Sequence, residues 1–483
     1  MDRTRLARLL DALETGLVER RHVLRLCLLA ALAGEHTLLI GPPGTAKSAL
    51  ARRIHRAFRE ARYFERLLTR FTVPEELFGP LSIRALEEDR YERHVAGFLP
   101  DAAVAFIDEV FKANSAILNA LLTLLNEREF DNGAGRMRCP LISVIGATNQ
   151  VPEDEVAEAF FDRFLLRLSV GPVSGVGFRA LLGEGYVADA GELGSVPAVL
   201  QLGAAERAAL LAAAMRLSLS AEVLDRLGEL RAWLAEETHY VSDRRWVKIG
   251  LLLRMAAASE GRAAVEEWDL GVVPFCVAAD VAGQQAVADW LAARLGVRAA
   301  FSPPRLTRVV EAFEAQLKAE REANDLDYDE AGRLRFSAVD VAARDGVFHE
   351  HDTGAQAGAL AGEIGDAKGG AAALRMTYAR KRRYGVLHVA ARTGQIDALL
   401  DRLAGYREEL DARRESLARW SAQAVWADPG FIAAAERNLG GVAAALAGLE
   451  QRASTARAGF QALPRLDEAG LRPAAIEHEP LAD

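Results

Sequence analysis

Eight consecutive residues have the composition of a loop that binds nucleotide phosphates. They are Gly41, Pro42, Pro43, Gly44, Thr45, Ala46, Lys47 and Ser48, between an apolar run at 37–40 and a helix-like stretch that begins at Ala49. Glycines let backbone N–H groups turn toward phosphate oxygens, and the N-terminus of the next helix adds partial positive charge. Lys47 can reach the β- and γ-phosphates, and the Ser48 hydroxyl can ligate Mg²⁺. Residues 41–49 are therefore predicted to bind the phosphates of a nucleotide, although Ala46 replaces the last glycine of the strict pattern.

Two adjacent carboxylates follow a second apolar run, Val104–Ile107. At the carboxyl edge of a parallel sheet, Asp108 would hold Mg²⁺ and Glu109 would polarise the attacking water. A third apolar run begins at Leu141 and ends before Asn149, whose amide can hydrogen-bond both the γ-phosphate and the water. The alternative for this asparagine is an ordinary turn residue. Together with the loop, the two strand ends predict a site for ATP hydrolysis.

Two pairs of arginines are candidates for completing the site. Arg163 lies in an Asp-Arg-Phe turn, from which a guanidinium can reach a γ-phosphate across a subunit interface. Arg167, placed one helical turn further on, is the competing candidate, and a surface salt bridge is the alternative role. In a second segment Ser242 is a suitable helix N-cap. There Arg244, ahead of Arg245, is our candidate for a lid arginine that contacts the γ-phosphate, and a plain capped helix is the alternative.

The elements that must position these residues alternate between strands and helices. Strands are predicted at 38–40, 103–107 and 141–145, and helices at 47–60 and 113–127. Alternation of this kind predicts an α/β fold, a parallel sheet with helices on both faces. Residues 198–300 are rich in Ala and Leu at helical spacing and predict an all-helical domain. Further on, a long charged helix at 305–324 and leucine-rich helices at 395–465 flank a stretch with short alternating segments.

These patterns divide the chain into four parts. We predict a nucleotide-binding domain at 1–190, an all-helical lid at 191–303, a C-terminal helical domain at 304–327 and 392–470, and a small β-rich module inserted at 328–391. The 483 residues are enough for several domains. The Gly-containing stretch 183–197 is the predicted linker between the first two.

Composition narrows the class of protein. The formal net charge of −9 provides no overall basic field, so no nucleic-acid partner is expected. The three cysteines are far apart and predict reduced thiols without a disulfide framework. No apolar run approaches the ~18 residues of a membrane span, and the N-terminus has no signal-peptide core, so we predict a cytoplasmic protein.

The order and spacing of these motifs resemble an AAA+ ATPase, and more narrowly its MoxR branch. Five segments fit that branch, and two of them have been described above. They are Pro74–Gly79, Gly97–Ala102, Leu124–Arg128, the loop 41–48 with its Ala-Lys-Ser ending, and Ser242–Trp246. The resemblance covers about residues 5–300. The layout of the C-terminal part, a helical pair with a β-rich insert, resembles the subfamily called regulatory ATPase variant A.

The resemblance implies a hexameric ring with Mg²⁺-ATP between subunits and Arg163 acting in trans. It also implies a hairpin at about 79–99 that interrupts the second helix, and a second hairpin at 130–136, which the turn signal Asp131-Asn132-Gly133 supports independently. The implied activity is chaperone-like remodelling of a client protein complex, with the C-terminal module as the client-binding part. A partner with a von Willebrand factor A domain is expected, and some variant A members bind a lysine decarboxylase. The alternative function is a nucleotide-gated scaffold with slow hydrolysis. The negative net charge, the absence of a DNA-binding domain and the lack of a metal-binding acidic linker count against a DNA translocase or a chelatase motor.

Overall fold

The computed structural model describes residues 3–133, 135–149, 155–183, 195–325, 380–466 and 470–479. They form two compact units, one of Met1–Gly296 with Arg414–Asn438 and one of Val297–Arg413 with Leu439–Asp483. The first unit contains every residue that the sequence assigns to the nucleotide site. No helix in these described ranges is long and apolar enough to cross a membrane.

The centre of the first unit is a sheet of five parallel strands in the order β2-β3-β6-β1-β7. The strands are β1 (His36–Ile40), β2 (Tyr63–Leu67), β3 (Val104–Asp108), β6 (Ser143–Thr148) and β7 (Phe164–Ser169). The predicted strands β1, β3 and β6 are confirmed in place, and the structure adds β2 and β7. Every residue of β6 is buried, because it is the central strand.

Helices surround the sheet, as the alternation predicts. They are α1 (Arg3–Glu14), α2 (Arg21–Ala33), α3 (Lys47–His55), α4 (Pro74–Phe78), α5 (Ile83–Glu87), α6 (Ser115–Glu127), α7 (Glu155–Phe161) and α8 (Gly175–Gly183). The apolar stripe of α6 shares one hydrophobic core with Ala105 and Ile107 of β3. This packing fixes the strand end that carries the two predicted carboxylates. Helix α3 ends at His55, five residues before the predicted end.

The two predicted hairpin regions differ in structure. Strands β4 (Glu129–Asn132) and β5 (Gly135–Arg138) form the expected antiparallel hairpin. Residues 79–99 instead form helix α5 and return through a single bridge between Leu81 and Arg93. The Asn132 side chain joins the two regions, since its Oδ1 accepts from the Arg93 N–H at 2.7 Å and its Nδ2 donates to the Arg93 carbonyl at 3.2 Å.

The lid is helical, as predicted. It consists of α9 (Ala204–Arg216), α10 (Ala221–Glu236), α11 (Asp243–Ser259), α12 (Pro274–Val277) and α13 (Val281–Arg294). Ser242 caps α11, its Oγ accepting from the Arg245 N–H at 3.3 Å. The predicted domain boundary at 190–191 falls in 184–194, outside the described residues.

The second unit is also helical in its described part. It contains α14 (Pro303–Glu322), most of α15 (Val386–Ser421) and most of α16 (Pro429–Gln461). Two ion pairs join α15 to α16: Arg407 with Glu450 at 2.8 Å, and Asp397 with Arg457 at 2.5 Å. The earlier residue of α15 pairs with the later residue of α16, so the two helices are antiparallel and form a hairpin. Two short strands, β8 (Asn324–Asp325) and β9 (Arg380–Lys381), pair antiparallel. Residues 328–379 of the predicted β-rich module at 328–391 lie outside the described residues, and its end at 386–391 is helical, as the first turns of α15.

Candidate nucleotide site

The predicted phosphate loop joins the end of β1 to the start of α3. Its first residue must be glycine, because a Cβ at Gly41 would lie 2.2 Å from the carbonyl oxygen of Val170. The Gly41 N–H donates to the Thr148 carbonyl at 2.9 Å, which ties the loop to the end of β6. Gly44 has a φ of +79°, and Ala46, which precedes α3, has a φ of +69°. A non-glycine residue with this backbone conformation is uncommon and costs free energy.

Lys47 is buried at the first position of α3. Its Nζ donates to the carbonyls of Gly41 and Pro42, both at 2.8 Å. Burial lowers the pKa of Lys47, and the carboxylates of Asp108 and Glu109 oppose this shift. The loop lysine and the two carboxylates therefore interact electrostatically, as a site that binds both phosphate and a cation requires.

Asp108 and Glu109 stand at the carboxyl end of β3. The Asp108 Oδ1 accepts from the Glu109 N–H at 3.0 Å. Glu109 has a φ of +50°, so it is, after Ala46, a second non-glycine residue of the site in the left-handed region. Its Oε2 lies 3.3 Å from Lys112 Nζ. Such conformations persist only where the surroundings hold them, and they concentrate at functional sites.

Asn149 is exposed directly after β6. Strand β6 pairs with β1 on one side and with β3 on the other. The carboxyl ends of these three strands therefore bring the loop, Asn149 and the two carboxylates to one edge of the sheet. Ser48, the other predicted Mg²⁺ ligand, is half-buried in the first turn of α3.

The two candidates for the trans arginine occupy different environments. Arg167 lies within β7, so its predicted placement one helical turn after Arg163 is wrong. Its side chain is 8% exposed and covers the Phe161 ring, with the guanidinium carbon 4.0 Å from the ring centroid. Arg163 is more exposed and lies 3.5 Å from Asp162. Burial lowers the pKa of both arginines, and that of Arg167 falls well below its usual range.

The two candidates for the lid arginine also differ in burial. Arg245 is buried, donating to the carbonyl of Phe164 at 2.8 Å and to Asp162 Oδ1 at 3.3 Å. It therefore joins α11 to the start of β7. Arg244 is exposed, and its Nη2 donates to Asn126 Oδ1 at 2.8 Å. Arg244 also lowers the pKa of Arg163, after the larger effect of burial, so the half-buried Arg163 and the exposed Arg244 lie near each other.

Two polar residues near the site were missed by the sequence reasoning. Arg20 is buried, with its Nε donating to the Thr45 carbonyl at 3.2 Å and its Nη2 to the Gly171 carbonyl at 2.6 Å. It thus connects the phosphate loop to the segment after β7, and nothing in its sequence neighbourhood indicates this. Asn126 lies in the Leu-Leu-Asn-Glu-Arg motif, which gave a signal for the residue but not for its contact with Arg244.

Known proteins match the region that builds this site. A family model described as the MoxR domain in the MoxR-vWA-beta-propeller ternary systems matches residues 4–203, and an AAA lid domain model matches 222–291. Over 269 residues the chain is 38% identical to an uncharacterized protein of Methanocaldococcus jannaschii, covering 56% of this chain and 70% of that protein. The chain belongs to the MoxR family of AAA+ ATPases. This confirms the family and the fold class that the sequence predicted.

Shorter matches agree with membership of the MoxR family. A second uncharacterized protein of Methanocaldococcus jannaschii is 50% identical over 164 residues, or 34% of this chain and 43% of that protein. Protein MoxR of Paracoccus denitrificans is 31% identical over 165 residues, or 33% of this chain and 48% of that protein. The chain spans less than half the length of these two relatives. The variant A subfamily stays a prediction.

Proposed function

We propose that this protein hydrolyses ATP with Mg²⁺ at the edge where β1, β6 and β3 end. The observation that supports it most is that β1, β6 and β3 end at one edge of the sheet, where the loop with Lys47 meets the carboxylates of Asp108 and Glu109. A phosphate loop alone would only bind nucleotide. A second carboxylate next to the predicted Mg²⁺ ligand adds the group that hydrolysis requires.

The loop residues fit the binding of Mg²⁺-ATP. Residues 41–49 would hold the phosphates through backbone N–H groups at the start of α3. The Nζ of Lys47 would donate its hydrogen bonds to phosphate oxygens in place of the loop carbonyls. Ser48 and Asp108 would hold the metal. Held by these two residues, the ion would neutralise negative charge that develops on the phosphates.

Glu109 and Asn149 are the residues that we assign to the attacking water. Glu109 would accept a proton from the water, and Asn149 would orient it by hydrogen bonding. The backbone of Glu109 is held by the Asp108 carboxylate. This contact supports the left-handed turn from which the Glu109 side chain departs.

Arg163 and Arg244 are our candidates for the trans arginine and the lid arginine. The contacts of Arg167 and Arg245 support this choice, since both side chains are buried and bind groups of the fold. An arginine supplied by a neighbouring subunit raises the rate on the order of 10³–10⁵-fold. Hydrolysis should then require assembly, and we propose the hexameric ring of the family.

The proposed biological role is chaperone-like remodelling of a client protein complex in the cytoplasm. The matched domain model is described for ternary systems with a vWA protein and a β-propeller. We therefore propose a partner with a von Willebrand factor A domain, and a client that is bound through the C-terminal module. A lysine decarboxylase as client stays a hypothesis drawn from the variant A resemblance.

Phosphate release per subunit, measured over a range of protein concentrations at saturating Mg²⁺-ATP, tests the proposal. Specific activity should rise as subunits assemble, and Arg163→Ala should abolish the rise. Arg231→Ala is the matched control, because Arg231 is exposed and pairs only with Asp243 at 2.9 Å among the contacts described. Glu109→Gln should bind ATP and release no phosphate.

One result would reverse the assignment. If activity is flat and near zero at all concentrations while ATP still drives assembly, the proposed remodelling driven by ATP hydrolysis is excluded. A nucleotide-gated scaffold would then be the function.

A further inference from the structure

The turn between α15 and α16 belongs to the ATPase unit, although most of both helices belongs to the other unit. We call residues 420–431 the hairpin tip. Its large apolar side chains Trp420, Trp426 and Phe431 are all buried. The hairpin tip therefore contributes to the packing of the ATPase unit itself.

On the lid side, the hairpin tip makes directed contacts at the end of α11 and just after it. The Val425 N–H donates to Glu260 Oε1 at 2.7 Å, and Trp426 Nε1 donates to Ser259 Oγ at 2.9 Å. Phe431 packs so closely on Gly271 that a Cβ there would lie 2.5 Å from its ring. The lid therefore binds the hairpin tip through two hydrogen bonds and through close packing at Gly271.

The lid side of this contact is supported by buried charges. Glu260 pairs with Arg262 at 2.7 Å, and Arg262 pairs with Asp269 at 2.6 Å. Asp269 also accepts from Trp420 Nε1 at 3.2 Å. Hydrogen bonds to ionised groups are stronger than neutral ones, so the hairpin tip is attached firmly to the lid.

On the core side, the hairpin tip contacts helix α2. Arg25 Nη1 donates to the Val425 carbonyl at 3.1 Å, and its Nε pairs with the buried Glu14 at 2.5 Å. His22 lies 3.6 Å from Asp428. Val425 is therefore bonded to the lid through its N–H and to the core through its carbonyl.

This double attachment restricts movement of the lid relative to the core. Hydrogen bonds weaken steeply outside a narrow range of distance and angle. A rotation of the lid would have to break the bond of Val425 to Glu260, or carry the hairpin tip with it and break the bond of Val425 to Arg25. The attachment of the hairpin tip and the position of the lid are thus linked.

We propose that the hairpin tip is a strap across the joint between core and lid, and that its attachment is coupled to nucleotide binding. The inference rests on the proposed function, in which nucleotide contacts both the phosphate loop and the lid arginine. Coupling between two sites is reciprocal. If nucleotide binding loosens the hairpin tip, a substitution that loosens the hairpin tip must strengthen nucleotide binding. If nucleotide binding tightens the hairpin tip, the same substitution must weaken nucleotide binding.

Hydrogen exchange of the full chain with and without Mg²⁺-ADP, together with the ADP dissociation constant, tests this coupling. We expect ADP to change exchange at 422–428 at least about fivefold, the lower end of usual coupling. Glu260→Ala removes the acceptor of the Val425 N–H. Glu266→Ala is the matched control, because Glu266 also faces Arg262, at 3.9 Å, and makes no described contact with the hairpin tip.

The sign of the two effects must agree. If ADP speeds exchange of the hairpin tip, Glu260→Ala should tighten ADP binding severalfold; if ADP slows it, the variant should weaken binding. Trp426→Phe, which removes one N–H donor and keeps an aromatic ring, should act in the same direction. Thermal unfolding shows whether each variant is folded.

The possible failures are distinguishable. If ADP does not bind the wild-type chain, the proposed function itself fails. If ADP binds but exchange at 422–428 does not change, or if the folded Glu260→Ala and Trp426→Phe variants bind ADP as Glu266→Ala does, the strap is refuted and the ATPase proposal is unaffected.

Discussion

The carboxylate of Asp162 is surrounded by three guanidinium groups, which makes its substitution informative. Arg163 lies 3.5 Å away, Arg167 3.9 Å away and Arg245 3.3 Å away. The side chains of Arg167 and Arg245 are 8% and 4% exposed, whereas that of Asp162 is 37% exposed. Replacing Asp162 by Asn keeps the shape and removes the negative charge from this cluster.

The expected cost follows from these exposures. Removing one partner of a fully buried ion pair costs about 3–5 kcal/mol, because the other charge is left uncompensated. Solvent reaches Asp162 and screens part of this interaction, and Arg245 keeps its bonds to backbone carbonyls. We therefore expect Asp162→Asn to lower the free energy of unfolding by about 2 kcal/mol.

Urea unfolding of the full chain, followed by tryptophan fluorescence, measures this cost. Asp243→Asn is the matched control, since Asp243 pairs with Arg231 at 2.9 Å on the surface, where the aspartate is 83% exposed. That pair should contribute less than about 1 kcal/mol. If the two variants lose equal stability, the carboxylate of Asp162 does not compensate buried charge and the reasoning is refuted.

Three further predictions concern the loop, the insert and pH. Ala46→Gly should leave nucleotide affinity within about twofold, whereas Ala46→Val should weaken it more than about tenfold, because a β-branched residue is strongly disfavoured at a φ of +69°; titration with a fluorescent ADP analogue measures both, and equal affinities would contradict the prediction. Asn132→Ala should speed hydrogen exchange in 79–99 and leave α3 unchanged, because it removes both bonds to Arg93; unchanged exchange in 79–99 would show that the side chain does not hold the insert. Burial lowers the pKa of His36 well below its usual range and also lowers that of His22, so the unfolded chain binds protons more readily, and stability should fall below pH ~6.5, with His36 contributing about 1.4 kcal/mol between pH 7.5 and 5.5; urea midpoints that do not change over this range would contradict it.

The sequence predicted correctly those strands whose residue pattern fits only one kind of secondary structure. Strands β1, β3 and β6 are continuous apolar runs, because each is covered on both faces. Strand β2 was missed, since it is an edge strand and its sequence Tyr-Phe-Glu-Arg-Leu mixes charged and apolar residues. Strand β7 was missed because it begins at the Phe of the Asp-Arg-Phe turn, and its arginine was assigned to a helix.

Neighbouring arginines could be distinguished only by tertiary packing. Arg244 and Arg245 are adjacent in sequence and on one helix, and local propensity does not separate them. Docking of α11 on the start of β7 buries Arg245 against the Phe164 carbonyl and leaves Arg244 exposed. The same docking holds Asp162, so the environment of Arg163 depends on a domain that begins after it in the chain.

Backbone conformation at the site was also invisible in the sequence, and it connects the two halves of the proposed chemistry. Ala46 and Glu109 have left-handed backbones although neither residue type favours that region. Each conformation costs about 1–2 kcal/mol, and each is held by a neighbouring bond: Arg20 binds the carbonyl of Thr45, and Asp108 accepts from the Glu109 N–H. One turn places the phosphate loop and the other places the carboxylate that would receive the proton. At both positions an unfavourable backbone conformation fixes a group that must act in the reaction. Because Arg20 supports the conformation at Ala46, substitutions at Arg20 should affect nucleotide binding although this residue belongs to no motif.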